Sequence, residues 1–175
     1  MHTLTYTYTD GDGCVGTDTD VITVNDLPVV NYTALADLCI NDGVQTGLGG
    51  GSPTGGVYSG TGVTDDGNGM TYSFDPAIAG VGSETLTYTF TDGNGCTNFD
   101  TDDVEVFALP NVTFTALADQ CVNSGVQTGL GSGMPTGGVY SGTGVTDDGN
   151  GLTYSFDPAA SGVGTHTITY TVGVA

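Results

Sequence analysis

The sequence contains no lysine and no arginine. Contacts to nucleic-acid phosphates depend on those two side chains, so nucleic acid is excluded as a partner. Anionic membrane surfaces are excluded on the same ground. A Walker-type phosphate loop needs its lysine, and Schiff-base catalysis needs an amine, so both fall away. Lys–Asn isopeptide cross-links cannot form. Tryptophan is absent too. No apolar run approaches the roughly 18 residues of a membrane span. The N-terminus has no basic stretch leading into an apolar one, so no signal peptide is read. The chain is therefore expected to be a mature piece or a section of something longer.

What is present is acid and glycine. The 175 residues carry 20 Asp and Glu, a net charge of −20, and 31 Gly. High net charge with low hydrophobicity ordinarily reads as disorder. Here only 11% of residues are charged while 37% are hydrophobic, and mean hydropathy is +0.03. Apolar residues also alternate with Thr in β-strand periods. The composition therefore predicts a folded, glycine-rich, all-β protein, one to which divalent cations remain attractive partners.

An internal repeat organises the chain. Leu27-Pro28 returns as Leu109-Pro110, Cys39 as Cys121 and Cys14 as Cys96, each at an offset of 82. The segment PTGGVYSGTGVTDDGNG, Pro53 to Gly69, returns unchanged from Pro135 to Gly151. About three quarters of positions 27–91 match 109–173. Residues 27–108 make one complete unit, and residues 109–175 make a second that lacks its last strand. Residues 1–26 correspond to 83–108, the last two strands of a unit. MHTLTYTYTD, SETLTYTFTD and THTITYTVGV are three versions of one strand.

Within a unit, seven short strands are expected, at about 29–35, 43–48, 56–59, 61–64, 70–74, 84–91 and 99–107. In 84–91, Leu86, Tyr88 and Phe90 share one face and Thr85, Thr87, Thr89 and Thr91 the other, the period of a sheet with one buried face. Asp92-Gly-Asn-Gly95 and Asp10-Gly-Asp-Gly13 are hairpin turns. Many short strands with closely spaced turns predict a β-sandwich. Its core candidates are Val30, Tyr32, Leu48, Val57, Tyr72, Phe74, Leu86, Tyr88, Val104 and Val106.

The series Cys39…Pro53-Thr-Gly-Gly-Val-Tyr58-Ser-Gly-Thr-Gly-Val63…Phe74-Asp-Pro76…Leu86-Thr-Tyr88…Asp92-Gly-Asn-Gly-Cys96…Val104-Glu-Val106…Leu109-Pro110 resembles the tandem Ig-like (PKD-like) repeats of large secreted or surface proteins of Bacteroidota-type bacteria, including gliding-motility and adhesion proteins. The resemblance covers essentially the whole chain. It implies an all-β architecture of tandem Ig-like sandwiches, an extracellular or cell-surface location and a stalk or adhesin role. It brings no catalytic residues.

Four Cys in an acidic, Thr/Gly-rich chain point to an oxidising exterior. The simplest pairing is within a unit, Cys39 with Cys96. Cys121 would then find its partner in Cys14 of a neighbouring molecule. The competing pairing, Cys14–Cys39 with Cys96–Cys121, links adjacent units, and Cys14 and Cys121 can equally be free thiols at an arbitrary cut. The missing strand raises the same alternatives. Residues 12–26 of a neighbour complete the unit 109–175 by strand addition, and a head-to-tail contact that does not close builds a filament. Alternatively, the chain is an excerpt of one long polypeptide. Either way the partner is self, end to end.

Asp65, Asp66 and Asn68 lie in a glycine-rich loop that returns as Asp147, Asp148 and Asn150. Hard oxygen ligands suit Ca²⁺, although the spacing is not that of an EF-hand, and turn chemistry accounts for the same residues. Asp18 with Asp20, and Asp100 with Asp102 and Asp103, crowd a strand. The Thr3, Thr5, Thr7, Thr9 row could serve a carbohydrate- or ice-binding face, or simply be solvent-facing strand. The sequons at Asn31 and Asn111 fall at non-equivalent repeat positions and read as chance. His2 and His166 share a repeat position and have no nucleophile motif beside them. No enzyme is expected, because every carboxylate cluster recurs with the repeat.

Overall fold

In the computed structural model, residues 1–115 and 117–173 are described. The chain divides into two compact units, Met1–Phe107 and Ala108–Ala175. The fold is all-β apart from two four-residue helices.

The first unit begins with a hairpin of β1 (His2–Thr9) and β2 (Val15–Ile22), paired antiparallel with Thr5 opposite Thr19. Asp10 makes its turn: the side chain accepts the amides of Asp12 and Cys14, and Gly13 takes a positive φ of 86°. Every residue of both strands is exposed. There follow β3 (Leu38–Cys39), β4 (Gln45–Leu48), β5 (Val57–Ser59), β6 (Val63–Asp65), β7 (Tyr72–Phe74), helix α1 (Pro76–Ala79), β8 (Gly82–Thr91) and β9 (Thr97–Phe107). They form a four-stranded sheet, β3-β9-β8-β5, and a three-stranded sheet, β4-β7-β6. Asp75 caps α1 by accepting the Ala77 amide at 2.9 Å, and Pro76, whose missing N–H costs nothing there, opens the helix.

The second unit carries β10 (Gln127–Leu130), β11 (Val139–Ser141), β12 (Val145–Asp147), β13 (Tyr154–Phe156), helix α2 (Pro158–Ser161) and β14 (Thr169–Thr171). Its pairings repeat those of the first unit. Tyr58 opposite Tyr88 becomes Tyr140 opposite Tyr170, and Val63 opposite Phe74 becomes Val145 opposite Phe156.

The core of the first unit gathers Tyr58, Leu86, Tyr88, Val104 and Val106 from the four-stranded sheet and Tyr72 and Phe74 from the three-stranded one, with Val30 and Tyr32. Two core expectations are corrected. Val57 is 56% exposed. The register puts Tyr58, not Val57, on the face shared with Tyr88, because neighbouring strand residues point to opposite sides. Leu48 is half-buried, packed against the cluster rather than inside it.

The expected strand at 29–35 is also corrected. Only an isolated bridge between Asn31 and Ser52 occurs there, and the short strand comes later, at Leu38–Cys39. The segment does run beside β9, but Tyr32 and Ala34 donate their amides to the carboxylates of Asp100 and Asp102 instead of to backbone carbonyls. Side-chain acceptors replace the ladder.

Candidate functional site

Three features of the sequence invited a function: the strand edges, the cysteines and the acidic loops. The first is an attachment built on aspartate. Alternation in β9 puts Asp100, Asp102, Val104 and Val106 at every second position. Asp100 accepts the Tyr32 amide at 2.9 Å and Asp102 the Ala34 amide at 3.0 Å. In return, Asp37 accepts the Glu105 amide at 3.0 Å. The segment then joins β9 as a true parallel pair, Leu38 with Val106 and Cys39 with Phe107. Val104 and Val106 are fully buried beneath it.

Behind this edge lies a cluster of stacked tyrosines. The Tyr58 ring sits 4.6 Å from both Tyr72 and Tyr88, and the Tyr32 and Tyr72 hydroxyls are 2.8 Å apart. Burial, together with the bond to Tyr72, pushes the Tyr32 phenol well above its ordinary value. Burial likewise raises Tyr58, Tyr72 and Tyr154. The glycine-rich loop closes over Tyr88, whose hydroxyl takes the Gly56 amide and donates to the Pro53 carbonyl. A Cβ on Gly56 would lie 2.5 Å from the Thr89 carbonyl oxygen, and one on Gly51 would lie 2.6 Å from the Tyr88 ring. Tyr170 is wrapped in the same way by Pro135 and Gly138. The repeated glycines are packing residues of this cap.

All four cysteines are free thiols. Cys96 immediately precedes β9 and Cys39 lies beside Phe107 at its far end. Eleven residue steps of extended strand separate the two levels by about 36 Å, whereas a disulfide needs Cα atoms within about 7 Å. The in-unit pairing Cys39–Cys96 is therefore corrected. Cys14 and Cys121, the intermolecular pair derived from it, occupy the same two repeat positions. Cys14 and Cys96 serve the hairpin turns, their amides donating to Asp10 and Asp92 at 2.9 Å. The carboxyl of Asp92, the acceptor of the Cys96 amide, is held below the ordinary carboxylate value.

The acidic loops are knitted into turns. Asp65 accepts the Tyr58 and Gly67 amides, each at 2.8 Å. Asp66 accepts from the Thr71 hydroxyl at 2.6 Å, and Asn68 accepts the Met70 and Thr71 amides. Asp147, Asp148 and Asn150 repeat these bonds. No group of three or more His, Cys, Asp or Glu side chains converges among the described residues.

The threonine rows and the histidines add little. Thr85 donates to Asp103 at 2.7 Å, and the Thr91 and Thr97 hydroxyls share a bond, so these hydroxyls serve the sheet. His166 lies outside any strand and donates from Nε2 to the Gly162 carbonyl at 3.0 Å. Among the described residues no helix is long and apolar enough to cross a membrane. No protein-family model matches the chain, and no curated protein matches it.

Sequence reasoning missed the carboxylate attachment. Its only signal was Asp at alternate positions of a strand, in Asp100 and Asp102 and again in Asp18 and Asp20.

Proposed function

We propose that this chain is a non-enzymatic structural module of an extracellular bacterial fibre, stalk or surface adhesin. Its units are read as Ig-like β-sandwiches repeating every 82 residues and added end to end, with strand complementation between copies as the means of growth. The observation that carries the reading is the path of the chain through residues 28–107. Asn98, at the start of β9, donates its side-chain amide to the Pro28 carbonyl at 2.9 Å, so the polypeptide enters there. It leaves at Phe107, beside Cys39, at the other end of the same strand. Units joined through such ends grow lengthwise, with stability a sum of unit and neighbour terms.

Two further points support the reading. The residues that carry bonds and burial recur in both units, whereas catalysis wants one unique constellation. A carbohydrate- or ice-binding face, the competing reading, draws on the Thr3–Thr9 row, and in the repeat copy of that row the Thr85 and Thr91 hydroxyls are consumed inside the sheet. Light scattering on the purified, non-reduced chain tests the proposal. The expected result is a mass that rises with protein concentration well beyond a monomer. A single monomeric species across the whole range, unchanged by deletion of residues 1–26, would remove it.

A further inference from the structure

Among its described residues the second unit leaves the far side of β14 unpaired, and the chain carries a strand that matches it. In the first unit β9 is held on both edges. Ten antiparallel partners in β8 hold one side, and the Asp-bonded segment 28–39 holds the other. Among the described residues of the second unit nothing occupies the corresponding position, and the consequences are visible. β14 has three residues where β8 has ten, although the apolar positions of β8, Leu86, Tyr88 and Phe90, stay apolar as Ile168, Tyr170 and Val172. Leu86 is 1% exposed, while its counterpart Ile168 is only half-buried. A cavity of about 600 Å³ opens among Leu117, Cys121, Phe156, Pro158, His166 and Ile168.

The hairpin at the other end of the sequence has the complementary features. Repeat positions put Asp18 and Asp20 where β9 has Asp100 and Asp102, and Ile22 and Val24 where β9 has Val104 and Val106. The two valines of β9 are fully buried, whereas Ile22 is 51% and Val24 72% exposed. Asp18 and Asp20 each accept the next residue's amide through one oxygen, as Asp100 and Asp102 do. In Asp100 and Asp102 the second oxygen takes the amide of the neighbouring segment, and in the hairpin the second oxygens carry no such bond.

We infer that in the 175-residue chain β2 of a second copy inserts between residues 112–115 and 117–121 on one side and 165–173 on the other, in the register of β9. This rests on the self-associating reading above and adds the register of the inserted strand and the release of β1 that it requires. Thr19 of the second copy then faces Thr169, and Ile22 of the second copy faces His166. The side chains of Ile22 and Val24 fill the cavity, Asp18 accepts the Phe114 amide, and Asn25 lies beside Cys121. β1 leaves β2 in the process. Little backbone pairing is lost, because β1 and 166–173 are versions of one strand, and Thr5, the present partner of Thr19, holds the repeat position of Thr169. The gain is apolar burial and a second bonded edge.

Cross-linking in a background with Cys14, Cys39, Cys96 and Cys121 all changed to Ser reads the register. One chain carries Thr19→Cys, another carries Thr169→Cys, and the two are refolded together and oxidised with a disulfide reagent. A heterodimer at twice the chain mass is expected. Adding Ile22→Asp and Val24→Asp to the first chain, one at the end of the exposed hairpin and the other just beyond it and both outside either packed core, should abolish it. If Thr19→Cys links only to Thr5→Cys placed in its own chain, and no heterodimer forms, the inference is overturned. Filaments that form without this cross-link overturn the inference and leave the fibre reading in place. The cross-link found only in closed dimers supports the inference and removes the fibre reading.

Discussion

The backbone amide of Tyr32 donates to the carboxylate of Asp100 at 2.9 Å, across 68 positions of sequence. This bond and its neighbour at Asp102 fasten the first segment of the unit to its last strand without a backbone ladder. A charged acceptor in a partly buried position is worth more than an ordinary one. Replacing Asp100 with Ala leaves the Tyr32 amide without its acceptor. The expected cost is about 1–2 kcal/mol, read as a lower urea midpoint for the unfolding of residues 27–107. An unchanged midpoint would mean that the carboxylate attachment contributes nothing.

The glycine cap over Tyr88 makes a steric prediction. Gly56→Ala sets a Cβ 2.5 Å from the Thr89 carbonyl oxygen, against backbone that cannot give way cheaply. Destabilisation of more than about 2 kcal/mol is expected. Gly67→Ala is the comparison. It meets open space but sits at φ +70°, so its cost is backbone strain of about 1 kcal/mol. Thermal melts of the two variants should fall in that order.

The tyrosine cluster sets an alkaline limit. Burial raises the phenols of Tyr32, Tyr58, Tyr72 and Tyr154. A group whose folded pKa is raised gives its full stability below the unfolded value, near 10 for tyrosine, and loses it as pH climbs further. Tyrosinate absorbance from these residues should therefore appear together with loss of β-sheet circular dichroism above about pH 10. The acid side has the opposite sign. Asp92 is lowered, first by the Cys96 amide, so its contribution is present above the ordinary carboxylate value and lost as pH falls below it. The hairpin amides at 92–96 should accordingly exchange faster in acid than the intrinsic pH dependence allows.

The acidic loops predict indifference to metal. Asp65, Asp66 and Asn68 already accept backbone amides from β5 and from their own loop, and a hydroxyl from Thr71. Chelator should leave the melting temperature unchanged, and added Ca²⁺ should not raise it. A shift of several degrees in either direction would show a ligand set that the loop geometry does not assemble.

Much of the fold was legible in the residues, because a period of two and Asp/Gly turns are local signals. β8, β9 and the turn between them follow from Leu86, Tyr88, Phe90 and Asp92-Gly-Asn-Gly95. Tyr58 was not legible. Val57 and Tyr58 are both apolar, and only the register against β8 decides which one faces the core. The attachment of 28–39 escaped for a similar reason. Strand patterns describe backbone ladders, and this edge uses the Asp100 and Asp102 side chains. The cysteine separation depended on where Cys39 meets β9, and only the parallel pairing with Phe107 puts it at the far end of that strand.

The central claim is that copies of this chain join end to end, and electron microscopy of the purified chain under native, non-reducing conditions tests it most directly. The account predicts filaments, with lateral bundling that increases as salt screens the −20 charge of each chain. Fields of separate globular monomers at every protein and salt concentration would contradict it.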